Sequence, residues 1–281
     1  MDIFIIAQLN ILFYIFFFFT GLALGSFANV CIYRMPLDLS VVKPRSCCPN
    51  CKKQIKWYDN IPVFSYLFLA GKCRYCNGRI SVIYPVVELI TGFSFILLFD
   101  FYKLTPAILL FCFMAFCLVA VSGIDYYHRI IPDIFPLMLI ISGLLFSFFN
   151  IILGETHLQR FLNAAAGIAA GGGSLLLIGL LGQFVFKKEA MGGGDVKLMA
   201  GIGAVIGWER VLLAIFIASF IGSVAGLFLI AAKKVERREY MPFDPFLAVA
   251  SYMTLIMPAP QALFNAFFAW ETGILNKFFG T

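Results

Sequence analysis

Long apolar stretches separated by short polar breaks run along almost the whole chain. Segments near the ~20 residues that a helix needs to cross a bilayer lie at 3–33, 85–101, 106–124, 134–153, 161–186, 196–208, 211–232 and 245–269. The pattern predicts an all-α polytopic membrane protein with about eight crossings, the sixth of them short. One stretch, 34–84, has soluble composition and predicts a small insert outside the membrane. The first apolar stretch has no basic residues ahead of it and no Ala-x-Ala site, and it continues to Tyr33. It therefore predicts a retained helix and not a cleaved signal peptide.

Composition agrees. With 62% hydrophobic residues, 13% charged residues and a mean hydropathy of +0.94, the 281 residues exclude a soluble globular domain. Charge then sets orientation. With the N-terminus outside, 34–84, 125–133, 187–197 and 233–240 fall on the cytoplasmic side and carry seventeen of the 21 Lys and Arg, leaving Lys103, Arg160, Arg210 and Lys277 elsewhere. The net charge of +6 thus reflects the excess of basic residues in cytoplasmic loops and not a nucleic-acid partner.

Against this background two acids stand out. Met191-Gly192-Gly193-Gly194-Asp195-Val196-Lys197 puts a glycine break and a carboxylate into membrane-grade sequence, which lipid tolerates only where protein or a water-filled cavity surrounds it. Asp125, at the cytoplasmic end of another apolar segment, is the partner this reading gives Asp195. Two carboxylates brought together share one proton, which is aspartic-protease chemistry. The competing reading makes Asp195 a helix cap after a glycine hinge.

The insert carries Cys48-Pro49-Asn50-Cys51 and, after 21 intervening residues, Cys73-Arg74-Tyr75-Cys76. Paired C-x2-C knuckles predict a closed tetrahedral zinc site of structural type, with no position left for substrate. The x2 spacing favours Cys48 over Cys47, and a cytosolic position argues against disulfides. Cys31, Cys112 and Cys117 lie in apolar segments and read as packing residues.

Other polar residues have plainer readings. Asp133 after Pro132 complements a helix N-terminus, His128 is a solvated loop residue, His157 lies on the outer side, and Lys233 to Glu239 is a solvated anchoring run. Gly171-Gly172-Gly173, Gly203/Gly207 and Gly222/Gly226 predict small-residue faces for close helix packing, since no Gly-Lys-Ser/Thr follows them.

Taken in order, Gly25-Ser26-Phe27-Ala28-Asn29-Val30-Cys31-Ile32-Tyr33-Arg34-Met35-Pro36, the two Cys pairs, Asp59-Asn60-Ile61-Pro62, Arg79-Ile80-Ser81, Tyr84-Pro85-Val86-Val87-Glu88, Ile124-Asp125, Ile131-Pro132-Asp133 and Met191 to Leu198 resemble the bacterial type IV prepilin peptidases. These are also called prepilin leader peptidase/N-methyltransferases. The resemblance implies a GxGD aspartic protease of the bacterial inner membrane that removes the leader of prepilins or pseudopilins at the cytoplasmic side. It also implies methylation of the new N-terminal amine with S-adenosylmethionine. By motif match Asp125 and Asp195 take the catalytic positions, with Gly192, Gly194, Lys197 and Asp133 supporting them. Gly25, Ser26, Asn29, Arg34 and Gly71 become associated with methyl transfer, without assigned roles. One departure is Pro242-Phe243-Asp244-Pro245, where the family usually reads Pro-Phe-Gly-Pro, which adds a third carboxylate either close to the dyad or in solvent.

The expected organisation is a first helix at 1–33, a zinc-binding insert at 34–84 and a membrane protease domain at 85–281. A second functional class, an ion or proton transporter with a cytosolic zinc-knuckle domain, would place its carboxylates near the midplane, whereas Asp125 and Asp195 lie at cytoplasmic helix ends.

Overall fold

The computed structural model describes residues 3–187, 191–232 and 243–258. Eight helices are built from them: α1 (Ile3–Arg34), α2 (Phe64–Phe68), α3 (Ile83–Tyr102), α4 (Ile108–His128), α5 (Ile134–Leu145), α6 (His157–Phe186), α7 (Gly193–Ala231) and α8 (Asp244–Ile256). Among the described residues five helices are long and apolar enough to cross a membrane, namely α1, α3, α4, α6 and α7, while α5 and α8 are shorter apolar helices. The expected basic run from Lys233 to Glu239, and the last apolar segment beyond residue 258, lie outside the described residues. The chain divides into two compact units, Met1–Phe135 and Pro136–Thr281.

In the first unit α1, α3 and α4 pack together. Lipid tails are as apolar as leucine, so close helix approach depends on small residues. A Cβ on Gly21 would sit 2.7 Å from Gly92 Cα, and one on Gly25 would sit 2.7 Å from Glu88 Cα. Phe17 stacks on Phe99 at 4.9 Å, and Cys31, Cys112 and Cys117 are buried.

In the second unit α6 packs along α7 through mutual contact of backbones. A Cβ on Gly167 would lie 2.0 Å from Gly203 O, and one on Gly171 would lie 2.1 Å from Met199 O. Gly203 and Gly171 therefore serve the close packing expected of them. Gly222 makes ordinary contacts with Phe243 and Phe246, and Gly173 and Gly226 have nothing within 4 Å, so small-residue packing does not extend to them.

Gly207 does something different. Its φ of 82° and ψ of 171° break α7 into two arms, which correspond to the two apolar segments expected at 196–208 and 211–232. Only glycine adopts that conformation without strain. Beside the break, the buried Asn150 donates from Nδ2 to the carbonyl of Val205 at 2.7 Å and accepts from Ile152 N–H. Placing Asn150 there explains why the segment expected as one helix over 134–153 is helical only to Leu145 and then continues as two 3-10 turns. At the other end of α8, the buried Arg210 guanidinium donates to the carbonyls of Thr254 and Met257, capping that helix where its partial negative charge gathers. α6 opens with a capping box formed by Thr156 and Gln159.

Asn150→Ala should leave the Val205 carbonyl without this donor and destabilise the protein by about 1–3 kcal/mol. The check is the thermal midpoint in detergent, and an unchanged midpoint would show that the break at Gly207 does not need Asn150.

Candidate functional site

The insert between α1 and α3 contains two turns of the same design, offset by 25 residues. In the first, Lys52 N–H donates to Cys48 O and Cys48 N–H to Lys53 O, both at 2.9 Å, with Lys52 at φ 57°. In the second, Asn77 N–H donates to Cys73 O and Cys73 N–H to Gly78 O, again at 2.9 Å, with Asn77 at φ 54°. Each turn folds its two cysteines to one side. The four sulfur atoms of Cys48, Cys51, Cys73 and Cys76 lie within 4.8 Å of one another, while Cys47 is exposed and outside the group.

That spacing suits a metal ion. Four thiolates at ~2.3 Å from a tetrahedral zinc would be ~3.8 Å apart, and Cys48 Sγ lies 3.8 Å from Cys76 Sγ. The cluster could therefore hold zinc. The N–H groups of Tyr75 and Cys76 hold the Cys73 thiol down to about 7. Cys76 is pushed up to about 11, because burial and the neighbouring sulfurs of Cys73, Cys48 and Cys51 together outweigh the pull of the Gly78 amide. Thiols crowded this closely resist collecting several negative charges, and a bound dication removes that resistance. Gly78 is fixed by the other turn, since a Cβ there would lie 2.3 Å from Asn50 Nδ2.

A second set of contacts ties the insert to the helices. Arg74, inside the second knuckle, grips the buried carboxylate of Asp59 with Nε at 2.9 and 3.0 Å and a further nitrogen at 2.6 Å. Four residues on, Val63 has φ 61° and ψ −50°, and Phe64 N–H donates to Pro62 O at 2.6 Å, making a γ-turn of the rare positive-φ kind. Val63 N–H donates to Glu88 Oε2 at 2.7 Å, and Ser26 also hydrogen-bonds that carboxylate. Glu88 is buried on α3. The sequence supplied Glu88 only as part of a motif, without a role. Its signal was a lone acid in the first turns of a membrane-grade helix.

The other expected residues fall as follows. Gly25 closes against Glu88, the buried Asn29 donates from Nδ2 to Tyr84 O at 3.0 Å, and Arg34 donates to Ser40 O at 2.9 Å. Gly71 has φ 67° and packs against the Tyr66 ring, where α2 passes into the second knuckle. Asp125 is buried in the last turn of α4, in the first unit. Asp195 is buried in the first turn of α7, in the second unit. Gly192 is the N-cap of α7, and a Cβ on it would come within 3.1 Å of Asp195 Oδ2. A side chain at 192 would therefore crowd the carboxylate. Gly194 lies in the same first turn of α7, while Lys197 and His128 are exposed, as is Asp133, directly before α5. Asp244, expected either near the dyad or in solvent, is fully buried at the start of α8, which removes the solvated alternative.

Comparison with known proteins adds two family matches. The model described as "Bacterial Peptidase A24 N-terminal domain" matches residues 19–102, and "Type IV leader peptidase family" matches residues 112–227. A relative from Myxococcus xanthus is 40% identical over 225 residues, 79% of this chain and 64% of the relative, so the match spans under two thirds of that protein. A relative from Aeromonas salmonicida is 34% identical over 85% of this chain and 89% of its own length. One from Neisseria gonorrhoeae is 33% identical over 90% and 92%. All three carry the name "Prepilin leader peptidase/N-methyltransferase". No solved structure matches the chain significantly.

Replacing Cys51 or Cys73 by Ser should lower the metal content of the purified protein at least about tenfold, because a broken thiolate shell loses most of its binding free energy. Elemental analysis reads this directly, and metal-free wild-type protein would rule the cluster out as a metal centre.

Proposed function

Because the chain belongs to the type IV leader peptidase family, we propose that it is a membrane aspartic endopeptidase that removes the leader of type IV prepilins or pseudopilins and methylates the new N-terminal amine. The observation that carries this reading is the pair of family matches, in order, over 19–102 and 112–227. It is supported by the buried carboxylates of Asp125 and Asp195, set in helix-end turns of a membrane protein.

In this reading the two aspartates form one dyad. One carboxylate takes a proton from water as the oxygen adds to the scissile carbonyl carbon, and the protonated partner donates to the carbonyl oxygen. Collapse of the tetrahedral adduct breaks the C–N bond, and the leaving amine takes up a proton from the dyad. Gly192 leaves space around Asp195, and Gly194, Lys197 and Asp133 lie near the two acids in sequence. We place the reaction at the cytoplasmic side of a bacterial inner membrane, from the distribution of basic residues.

The four cysteines hold a structural zinc in this proposal, whose closed shell organises the insert without touching substrate. The methyl donor is S-adenosylmethionine, which supplies an electrophilic methyl group. Ser26 and Asn29 are already engaged with Glu88 and Tyr84, so they shape the α1–α3 surface. The division into 1–33, 34–84 and 85–281 separates the methylation-associated part from the protease part.

Asp125→Asn and Asp195→Asn keep the side-chain shape and lose the shared proton, so each should reduce leader cleavage by at least about a thousandfold. Near-normal cleavage by either variant of purified protein on a prepilin would sink the dyad. Asn29→Ala should reduce methylation more than cleavage, read by mass spectrometry of the first residue of the mature product. Equal loss of both in a folded variant would overturn the separation.

A further inference from the structure

We propose that residues 61–70 of the insert form a re-entrant anchor embedded in lipid, with α2 presenting Leu67 and Phe68 to the acyl chains of the leaflet that α3 enters at Ile83. The sequence places this stretch in an aqueous insert, and the contacts of the first unit place it deeper.

Depth follows from α3. Its 20 residues span about 30 Å, the thickness of a hydrocarbon core. One end carries the exposed pair Asp100 and Lys103, 2.9 Å apart and bonded with Tyr14, which belongs at a water boundary. The opposite boundary then falls near Ile83, and Glu88 lies about 7–8 Å inside it at 1.5 Å per residue. α1 runs antiparallel beside α3, with Gly25 against Glu88 and Gly21 against Gly92, so Phe19 is deeper still.

The insert reaches this level at two points. Val63 N–H meets Glu88, and the Phe64 ring stacks on Phe19 with centroids 6.2 Å apart and planes 11° from parallel. Beyond them Leu67 is 66% exposed and Phe68 85% exposed, continuing the exposed face of Phe19. In water such an apolar face would be unfavourable, a penalty that acyl chains remove.

The backbone approaches the condition for entering lipid, because most of its amides are satisfied within the protein. Val63 N–H is taken by Glu88, Phe64 N–H by Pro62, Ser65 N–H by Ile61, Leu67 N–H by Val63, Leu69 N–H by Ser65 and Gly71 N–H by Tyr66. Toward the knuckles the chemistry changes to that of the headgroup layer. Trp57 is 80% exposed, with Lys52, Lys53 and Lys56 shortly before it in sequence, a combination suited to anionic headgroups.

The test uses the full chain in phosphatidylcholine and phosphatidylglycerol bilayers, with Trp57, Trp208 and Trp270 replaced by Phe and Phe68→Trp as the only indole. Its fluorescence should fall at least about twofold when mid-chain-brominated lipids are used, as expected for burial below the headgroups, and aqueous acrylamide should have little effect. Full acrylamide quenching without a bromine effect would put α2 in water and overturn the proposal. Quenching by neither would mean that protein covers the face, a second copy or a substrate helix, and would equally overturn lipid as its partner. Leu67→Trp in the same background repeats the measurement if Phe68→Trp does not yield monodisperse protein.

Discussion

Every backbone amide and carbonyl that enters a bilayer must be paired inside the protein, and the places where this chain departs from regular helix are organised by that requirement. Where Gly207 interrupts α7, Asn150 donates to the Val205 carbonyl. Where the γ-turn at Val63 turns an amide away from helix, Glu88 accepts it. Where α8 ends, Arg210 takes its last carbonyls. In each case one polar side chain reaches in from another segment, so a break in regular helix does not leave that backbone group unpaired.

The same environment explains the glycines. With no difference in apolarity between lipid and side chains, helices hold together through close van der Waals contact, and Gly21 and Gly25 bring α1 onto α3 as Gly167 and Gly171 bring α6 onto α7. These contacts leave no room for a methyl group, with spacings from 2.0 to 2.7 Å to the nearest backbone atom. Gly192 is glycine for a different reason, the nearness of the Asp195 carboxylate, and Gly207 for a third, its positive φ.

Much of this was legible in the sequence. Apolar length gave the membrane class, and the two C-x2-C pairs pointed to a cluster because each knuckle is a local turn whose geometry depends on nearby residues. What stayed hidden depends on partners far along the chain. Nothing local in 134–153 says that the helix stops at Leu145, because the cause is Val205, 55 residues beyond Asn150. Arg210 stood apart from the cytoplasmic basic stretches in the sequence and proved to be buried, because its partners are carbonyls 44 and 47 residues away. Asp244 could not be placed between water and protein from sequence, since the burial of a first-turn acid is decided by what packs over it.

Within the first unit one line of contacts runs from the four-cysteine cluster to α3. Arg74 is a knuckle residue, and its hold on Asp59 fixes the segment leading to Val63. A β-branched residue at φ 61° carries strain of about 1–3 kcal/mol and persists only where its surroundings over-determine it. Here they do so from both sides, with Asp59 held by the knuckle and the Val63 amide held by Glu88. Glu88 in turn is packed by Gly25 and bonded by Ser26 on α1. The four-cysteine cluster is thus more than a staple for its own loops. The order it imposes on Arg74 is passed through a strained turn to the contact between α1 and α3, where Gly25, Ser26 and Asn29, three of the residues associated by motif with methyl transfer, are gathered.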